Sequence, residues 1–129
     1  MTKIPPKVHT TRFVELAQAA KNHIREITVQ ELKQKIDNDE HFYLIDVREE
    51  SEFCNGCIAK ALHLSKGVIE RDIEKYIANP EAEIIVYCSG GYRSALVADN
   101  LQKMGYTHVV SVSGGLTAWL NEGNLLQTK

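Results

Sequence analysis

Cys88 lies between the apolar run Glu83-Ile84-Ile85-Val86-Tyr87 and the helix-forming stretch Ser94–Met104, and it opens the loop Cys88-Ser89-Gly90-Gly91-Tyr92-Arg93. A cysteine at a strand end, followed by glycines and then a helix, favours a reactive thiolate. Glycines let successive backbone N–H groups turn inward, and a helix N-terminus adds partial positive charge. Both stabilise an anion, whether it is the sulfur itself or a bound group. The chemistry indicated is nucleophilic catalysis by Cys88. Ser89, Gly90, Gly91, Tyr92, Arg93 and Ser94 are the candidate substrate-binding residues. Arg93 would either attract an anionic donor or brace the loop. Ser94 would cap the helix or donate a hydrogen bond to the sulfur, and Tyr92 would line the mouth of the site.

Strands alternating with helices position this loop. The first eight or so residues, with two prolines and two lysines, read as a mobile arm. Thr10 or Thr11 is placed to cap a helix running to about Asn22, with Phe13, Leu16, Ala17 and Ala20 on one face. Ile27 starts a short extended piece. Thr28 then caps a second helix through a capping box with Glu31, and Leu32 and Ile36 face inward. Phe42–Val47 reads as a buried strand, followed by a helical turn around Glu49–Phe53 and a short strand at Ala61–Leu64. Ile69, Ile73, Tyr76 and Ile77 form the apolar stripe of a helix that Pro80 stops. After the Glu83–Cys88 strand and the Ser94–Met104 helix, which Gly105 terminates, come a strand within Tyr106–Ser113 and a last helix with Leu116, Trp119 and Leu120 inward. This order predicts an α/β fold, a mainly parallel sheet of about five strands covered by helices on both faces. Ligands bind such sheets beyond the carboxyl ends of the strands, which is where Cys88 falls.

The chain of 129 residues is long enough for one domain with a real core, and 43% hydrophobic with 25% charged residues is ordinary for a globular protein. A net charge of −2 gives no reason to expect nucleic acid or an acidic membrane as a partner. No apolar stretch approaches the ~20 residues that cross a bilayer, and the first ten residues lack the apolar core of a secretory signal. Three cysteines argue against a disulfide framework, so the cytoplasm is the expected location. Cys54-Asn55-Gly56-Cys57 is a C-x-x-C, but no second pair completes a zinc site and no long helix opens behind it. These thiols read as incidental, with resolution of an oxidised or sulfur-loaded Cys88 as the sharper alternative. Asp46 and Arg48 read as a structural network and not as an acid–base pair. The five histidines have no metal-ligand spacing, so neither a metal nor another cofactor is expected.

Three blocks in order carry a family resemblance. Cys88-Ser89-Gly90-Gly91-Tyr92-Arg93-Ser94 resembles the active-site loop of single-domain rhodaneses, which are sulfurtransferases. Leu44-Ile45-Asp46-Val47-Arg48-Glu49 resembles the strand motif ahead of that loop, and Gly114-Gly115-Leu116-Thr117-Ala118-Trp119 resembles the closing motif. The likeness spans about Ile27 to Gly123. It divides the chain into an N-terminal arm and helix, residues 1–26, and a rhodanese-like domain, residues 27–129. Gly56-Cys57-Ile58-Ala59-Lys60-Ala61 departs from the family's Gly-His-Ile-Pro-Gly-Ala, and the helix from Thr10 lies outside the shared core.

The resemblance implies a two-step sulfur transfer. Cys88 takes the outer sulfur of thiosulfate or a persulfide donor, and the resulting persulfide, held by N–H groups from Gly90 to Ser94, passes it to a thiophilic acceptor. Small-molecule donors and acceptors, with or without a sulfur-relay protein, are the implied partners; the alternative function is a sulfur-relay or regulatory binding module acting on a partner protein. Related phosphatases place five residues between cysteine and arginine. Only four separate Cys88 from Arg93, and by family analogy the tighter ring suits a sulfur atom better than a phosphate. Phosphatase or arsenate reductase activity is therefore the less favoured reading.

Overall fold

The structure, a computed structural model, describes residues 3–128; Met1 and Thr2 of the N-terminal arm lie outside the described residues. Five strands, β1 (Arg25–Ile27), β2 (Tyr43–Asp46), β3 (Leu62–His63), β4 (Glu83–Tyr87) and β5 (His108–Val112), form one sheet in the order β1-β5-β4-β2-β3. Every pairing is parallel. Six helices connect or flank them: α1 (Thr11–Lys21), α2 (Val29–Asp37), α3 (Glu50–Cys54), α4 (Ile69–Tyr76), α5 (Tyr92–Lys103) and α6 (Gly115–Asn121). The expected α/β architecture is the observed one.

Side chains alternate across the central strands because successive residues of a strand point to opposite faces. Ile45 of β2 and Ile84 and Val86 of β4 pack with Ile69, Ile73, Val97 and Leu101 on the α4–α5 face. Leu44, Ile85, Tyr87 and Val112 pack with Leu32, Leu116 and Trp119 on the α2–α6 face. Cys88, two residues beyond Val86, continues the α4–α5 face. It therefore meets the start of α5 at the carboxyl end of a central strand.

Several helix faces differ from the periodicity reading. In α1 the buried residues are Ala17 and Ala20, whereas Leu16 is 59% exposed. The small side chains face α5, against which α1 packs, and Leu16 lies about a quarter-turn away. Ile36 and Tyr76 are exposed, leaving Leu32 and the Ile69–Ile73–Ile77 line as the inward rows. Thr10 occupies the N-cap of α1 but makes no side-chain capping bond, while the Thr28–Glu31 capping box forms as expected. The helix expected from Ser94 begins at Tyr92, because Gly91 supplies the N-cap with φ 94°. Ser94 therefore stands inside the first turn and does not cap it.

A buried ion pair organises the loops after β2. Asp46 accepts from the Arg48 backbone N–H at 2.9 Å and from its Nη2 at 2.8 Å, and Arg48 Nη2 also donates to the Gly56 carbonyl at 2.6 Å. The Asp46–Arg48 pair thus has the structural role read from the sequence. Tyr87 Oη accepts from the Ile58 N–H at 3.0 Å, and burial, ahead of the nearby Asp46 charge, pushes its phenol above the usual value.

The Ala59-Lys60 pair forms the centre of a hydrogen-bonded turn. Ala61 N donates to Ile58 O at 3.1 Å, closing a turn whose third residue, Lys60, has φ 71°. Such a turn prefers Pro and Gly at its two central positions, which are the residues the family places there. Lysine in this conformation costs about 1–2 kcal/mol in local sterics, partly offset by its lower entropy when unfolded compared with glycine. Lys60→Gly is expected to stabilise the protein by about 0.5–1 kcal/mol, read as a higher urea midpoint at unchanged slope.

Candidate active site

The Cys88 loop is held from two sides, with its carbonyls turned one way and two of its amides the other. Gly91 N donates to Cys88 Sγ at 3.1 Å and Ser94 N donates to it at 3.4 Å. Behind the loop, the first amides of α6 hold the carbonyls: Leu116 N donates to Cys88 O at 2.8 Å and Thr117 N to Ser89 O at 3.0 Å. This approach requires Gly115, whose φ is 53°, because a Cβ there would stand 2.7 Å from Ser89 O. Gly91 is similarly constrained, since a Cβ on it would meet Gly114 N at 3.1 Å. The closing Gly114-Gly115 motif thus acts as the brace of the cysteine loop. Gly90 has no such crowding and contributes no direct bond to Sγ.

Cys88 is 1% exposed yet lines a pocket of about 790 Å³. Ser89, Gly90, Tyr92 and Arg93 line the same pocket, so the sequence-predicted loop residues gather there. Gly91 and Ser94 sit behind the sulfur instead. Two amides, one of them from the first turn of α5, point their partial positive charge at Sγ.

Ser94 is fully buried, and its hydroxyl bridges two groups. It lies 3.5 Å from Cys88 Sγ and 2.7 Å from the hydroxyl of Ser111, also fully buried, on β5. As a thiol, Cys88 Sγ donates to Ser94 Oγ; once the sulfur is anionic the Ser94 proton must turn to Sγ, and its oxygen then accepts the Ser111 proton. Ser111 therefore positions Ser94. Nothing in the spacing of the sequence marks Ser111, which reaches the site only because β5 lies beside β4.

Arg93 braces the loop. Its guanidinium pairs with Glu52 at 2.7 Å (Nη1–Oε1) and 3.0 Å (Nη2–Oε2), and Ser89 Oγ donates to the same carboxylate at 3.4 Å. Glu52, on α3, was not among the sequence candidates. The Arg93 hydrogen bonds, above all other causes, hold its carboxyl at about 2, well below the ordinary 4.5. A signal did exist, because Glu52 follows Glu49 at capping-box spacing and the two close that box. Cys54 is exposed and Cys57 buried, and neither lines the pocket. The Cys57 backbone exchanges hydrogen bonds with Gln127, at 2.9 and 2.7 Å. Among the described residues no group of three or more His, Cys, Asp or Glu clusters as a metal site, and no helix is long and apolar enough to cross a membrane.

Cys88 thus lies in an amide cradle at the end of a central parallel strand of an α/β domain. The family model for the Rhodanese-like domain matches residues 28–122, and the chain belongs to that family. It is 39% identical over 99 residues to YtwF of Bacillus subtilis, a protein whose name proposes a sulfurtransferase, covering 77% of this chain and 93% of that one. It is 37% identical over 76 residues to the thiosulfate sulfurtransferase GlpE of Coxiella burnetii, covering 59% and 69%. Among solved structures, the polysulfide-sulfur transferase of Wolinella succinogenes superposes with a TM-score of 0.76 at 26% identity, over 92% of this chain and 88% of that one. A Rhodopseudomonas palustris protein of unknown function, described as a possible tyrosine phosphatase, superposes at 0.79 with 25% identity, over 95% and 99%. Named sulfurtransferases are thus among the chain's relatives.

Two outcomes follow from the geometry. The depressed Glu52 carboxyl contributes stability that is present above about pH 4.5 and is lost as pH falls toward about 2. The stability gap between wild type and Glu52→Gln should therefore close over that window in urea titrations at stepped pH. Ser111→Ala should slow iodoacetamide alkylation of Cys88 at neutral pH about 3- to 10-fold, measured site by site by mass spectrometry. A residue that only fills space would leave that rate unchanged.

Proposed function

We propose that this protein is a sulfurtransferase that carries sulfane sulfur on Cys88. The observation that carries the reading is the pair of amides, Gly91 N and Ser94 N, aimed at Cys88 Sγ inside a four-residue ring closed by Arg93. The thiolate attacks the outer sulfur of thiosulfate, the S–S bond of the donor breaks, and sulfite leaves with the bonding electron pair. Cys88 becomes a persulfide whose charge stays near the loop amides and the start of α5. An acceptor thiolate or cyanide then attacks the terminal sulfur and the Cys88 thiolate departs. Sulfite is a weakly basic leaving group, so neither step calls for a general acid. This agrees with a pocket whose one carboxylate, Glu52, is engaged by Arg93. Sulfur transfer named for GlpE and for the Wolinella protein supports the reaction class.

The second reading, phosphomonoester hydrolysis, is favoured by the description of the Rhodopseudomonas protein alone. Four residues between cysteine and arginine, with Arg93 committed to Glu52, argue against it. Incubation with thiosulfate should add one sulfur atom to the intact mass, and Cys88→Ser should abolish the gain. No gain with thiosulfate or glutathione persulfide would defeat the sulfur reading, and turnover of p-nitrophenyl phosphate would establish the other.

A further inference from the structure

Much of the pocket over Cys88 is built by a segment that lies outside the matched family region. Ile4, Pro5, Pro6, Lys7, His9 and Phe13 line the pocket together with Thr117, Ala118 and Asn121 of α6. The segment is fastened at both ends. At one end Ile4 N donates to Asn121 Oδ1 at 2.7 Å, and Asn121 Nδ2 donates back to Ile4 O at 3.0 Å. At the other, the His9 ring meets Phe13 and Tyr92 edge-on, with centroids 5.2 and 5.0 Å apart, and Lys21 Nζ lies 4.8 Å over Tyr92. Pro5-Pro6 stiffens the span between the two anchors, which lowers the entropy cost of holding it in place.

The strap changes what the pocket suits. A volume of about 790 Å³ lies in the range, roughly 300–1,000 Å³, that encloses drug-sized molecules; thiosulfate or cyanide would leave most of it empty. The new wall adds apolar surface from Ile4, Pro5, Pro6 and Phe13 and one cation. Of the two cationic side chains on the pocket, Arg93 is held by Glu52, whereas Lys7 has no carboxylate partner among the described residues. Sulfur chemistry at the base, an apolar wall and an uncommitted ammonium at the rim describe an elongated ligand with a thiol at one end and a carboxylate at the other.

The geometry points to the strap and α6 as a subsite for a carboxylate-bearing, low-molecular-weight thiol, with Lys7 as its specificity-determining residue. The inference rests on the proposed Cys88 persulfide. The acceptor thiolate attacks the terminal sulfur, the Cys88 S–S bond breaks, and the products are the acceptor persulfide and the Cys88 thiolate. Electrons balance without an added oxidant or reductant. The carboxylate rests at Lys7 while the thiol end reaches Cys88.

The test uses the full chain, with saturating thiosulfate as donor and glutathione or cyanide as acceptor. Lys7→Glu should lower the glutathione-to-cyanide ratio of kcat/KM about fivefold or more, mainly through the KM for glutathione. Lys7→Arg should restore it. A ratio within twofold of wild type in Lys7→Glu, or a loss that Lys7→Arg shares, would overturn the subsite. The two levels of inference fail separately. Absence of sulfur on wild-type Cys88 defeats the sulfurtransferase reading, whereas normal loading with an unchanged acceptor ratio defeats only the strap's role.

Discussion

The orientation of the peptide groups around Cys88 is the constraint on which the site depends. A loop of this size can aim amides at its own sulfur only if its carbonyls are satisfied elsewhere. The start of α6 does this through Leu116 N and Thr117 N, and it can come that close only because position 115 carries no Cβ. The cysteine loop and the Gly114-Gly115 turn are thus two halves of one device, 26 residues apart in sequence. Parallel pairing of β4 with β5 places their carboxyl ends side by side, so the halves meet without a long connection.

Two ion pairs support this device with different physics. Asp46 and Arg48 are buried and joined by several hydrogen bonds, and Arg48 also donates to the Gly56 carbonyl. Such a pair contributes chiefly by fixing one geometry, because desolvation offsets much of its attraction. It fixes the chain leaving β2, and α3 follows directly. Glu52 on α3 then meets Arg93 in a partly exposed, two-pronged contact that also takes the Ser89 hydroxyl. Of the two roles the sequence leaves open for Arg93, attracting a donor or bracing the loop, these contacts supply the bracing. Lys7, at the rim, has no carboxylate partner among the described residues.

The N-terminal segment illustrates how a shared core acquires an individual surface. α1 lies on α5 through Ala17 and Ala20, small enough to let the helices approach closely. That packing brings Phe13 and His9 against Tyr92, and the strap then runs to Asn121. Residues remote from the loop in sequence become its outer wall. A fold whose chemistry is confined to one loop can change its ligands in this way without disturbing the thiol.

The sequence by itself determined the architecture and the position of the candidate nucleophile. Apolar runs bounded by glycines, capping signals such as Thr28–Glu31, and alternation of strand and helix patterns are local properties, and local patterns are what secondary structure obeys. Cys88 was legible for the same reason, since strand, glycines and helix are contiguous around it. Where local reading erred, as with Leu16, Ile36, Tyr76 and the start of α5, helical spacing left two adjacent faces equally plausible, or a left-handed glycine began the helix earlier than a serine cap would. Only the tertiary structure decided who surrounds the sulfur. Glu52, Ser111, Gly115 and the strap from Ile4 reach Cys88 across sheet order and helix packing. Those contacts depend on which strands are neighbours, a long-range property that no window of sequence contains.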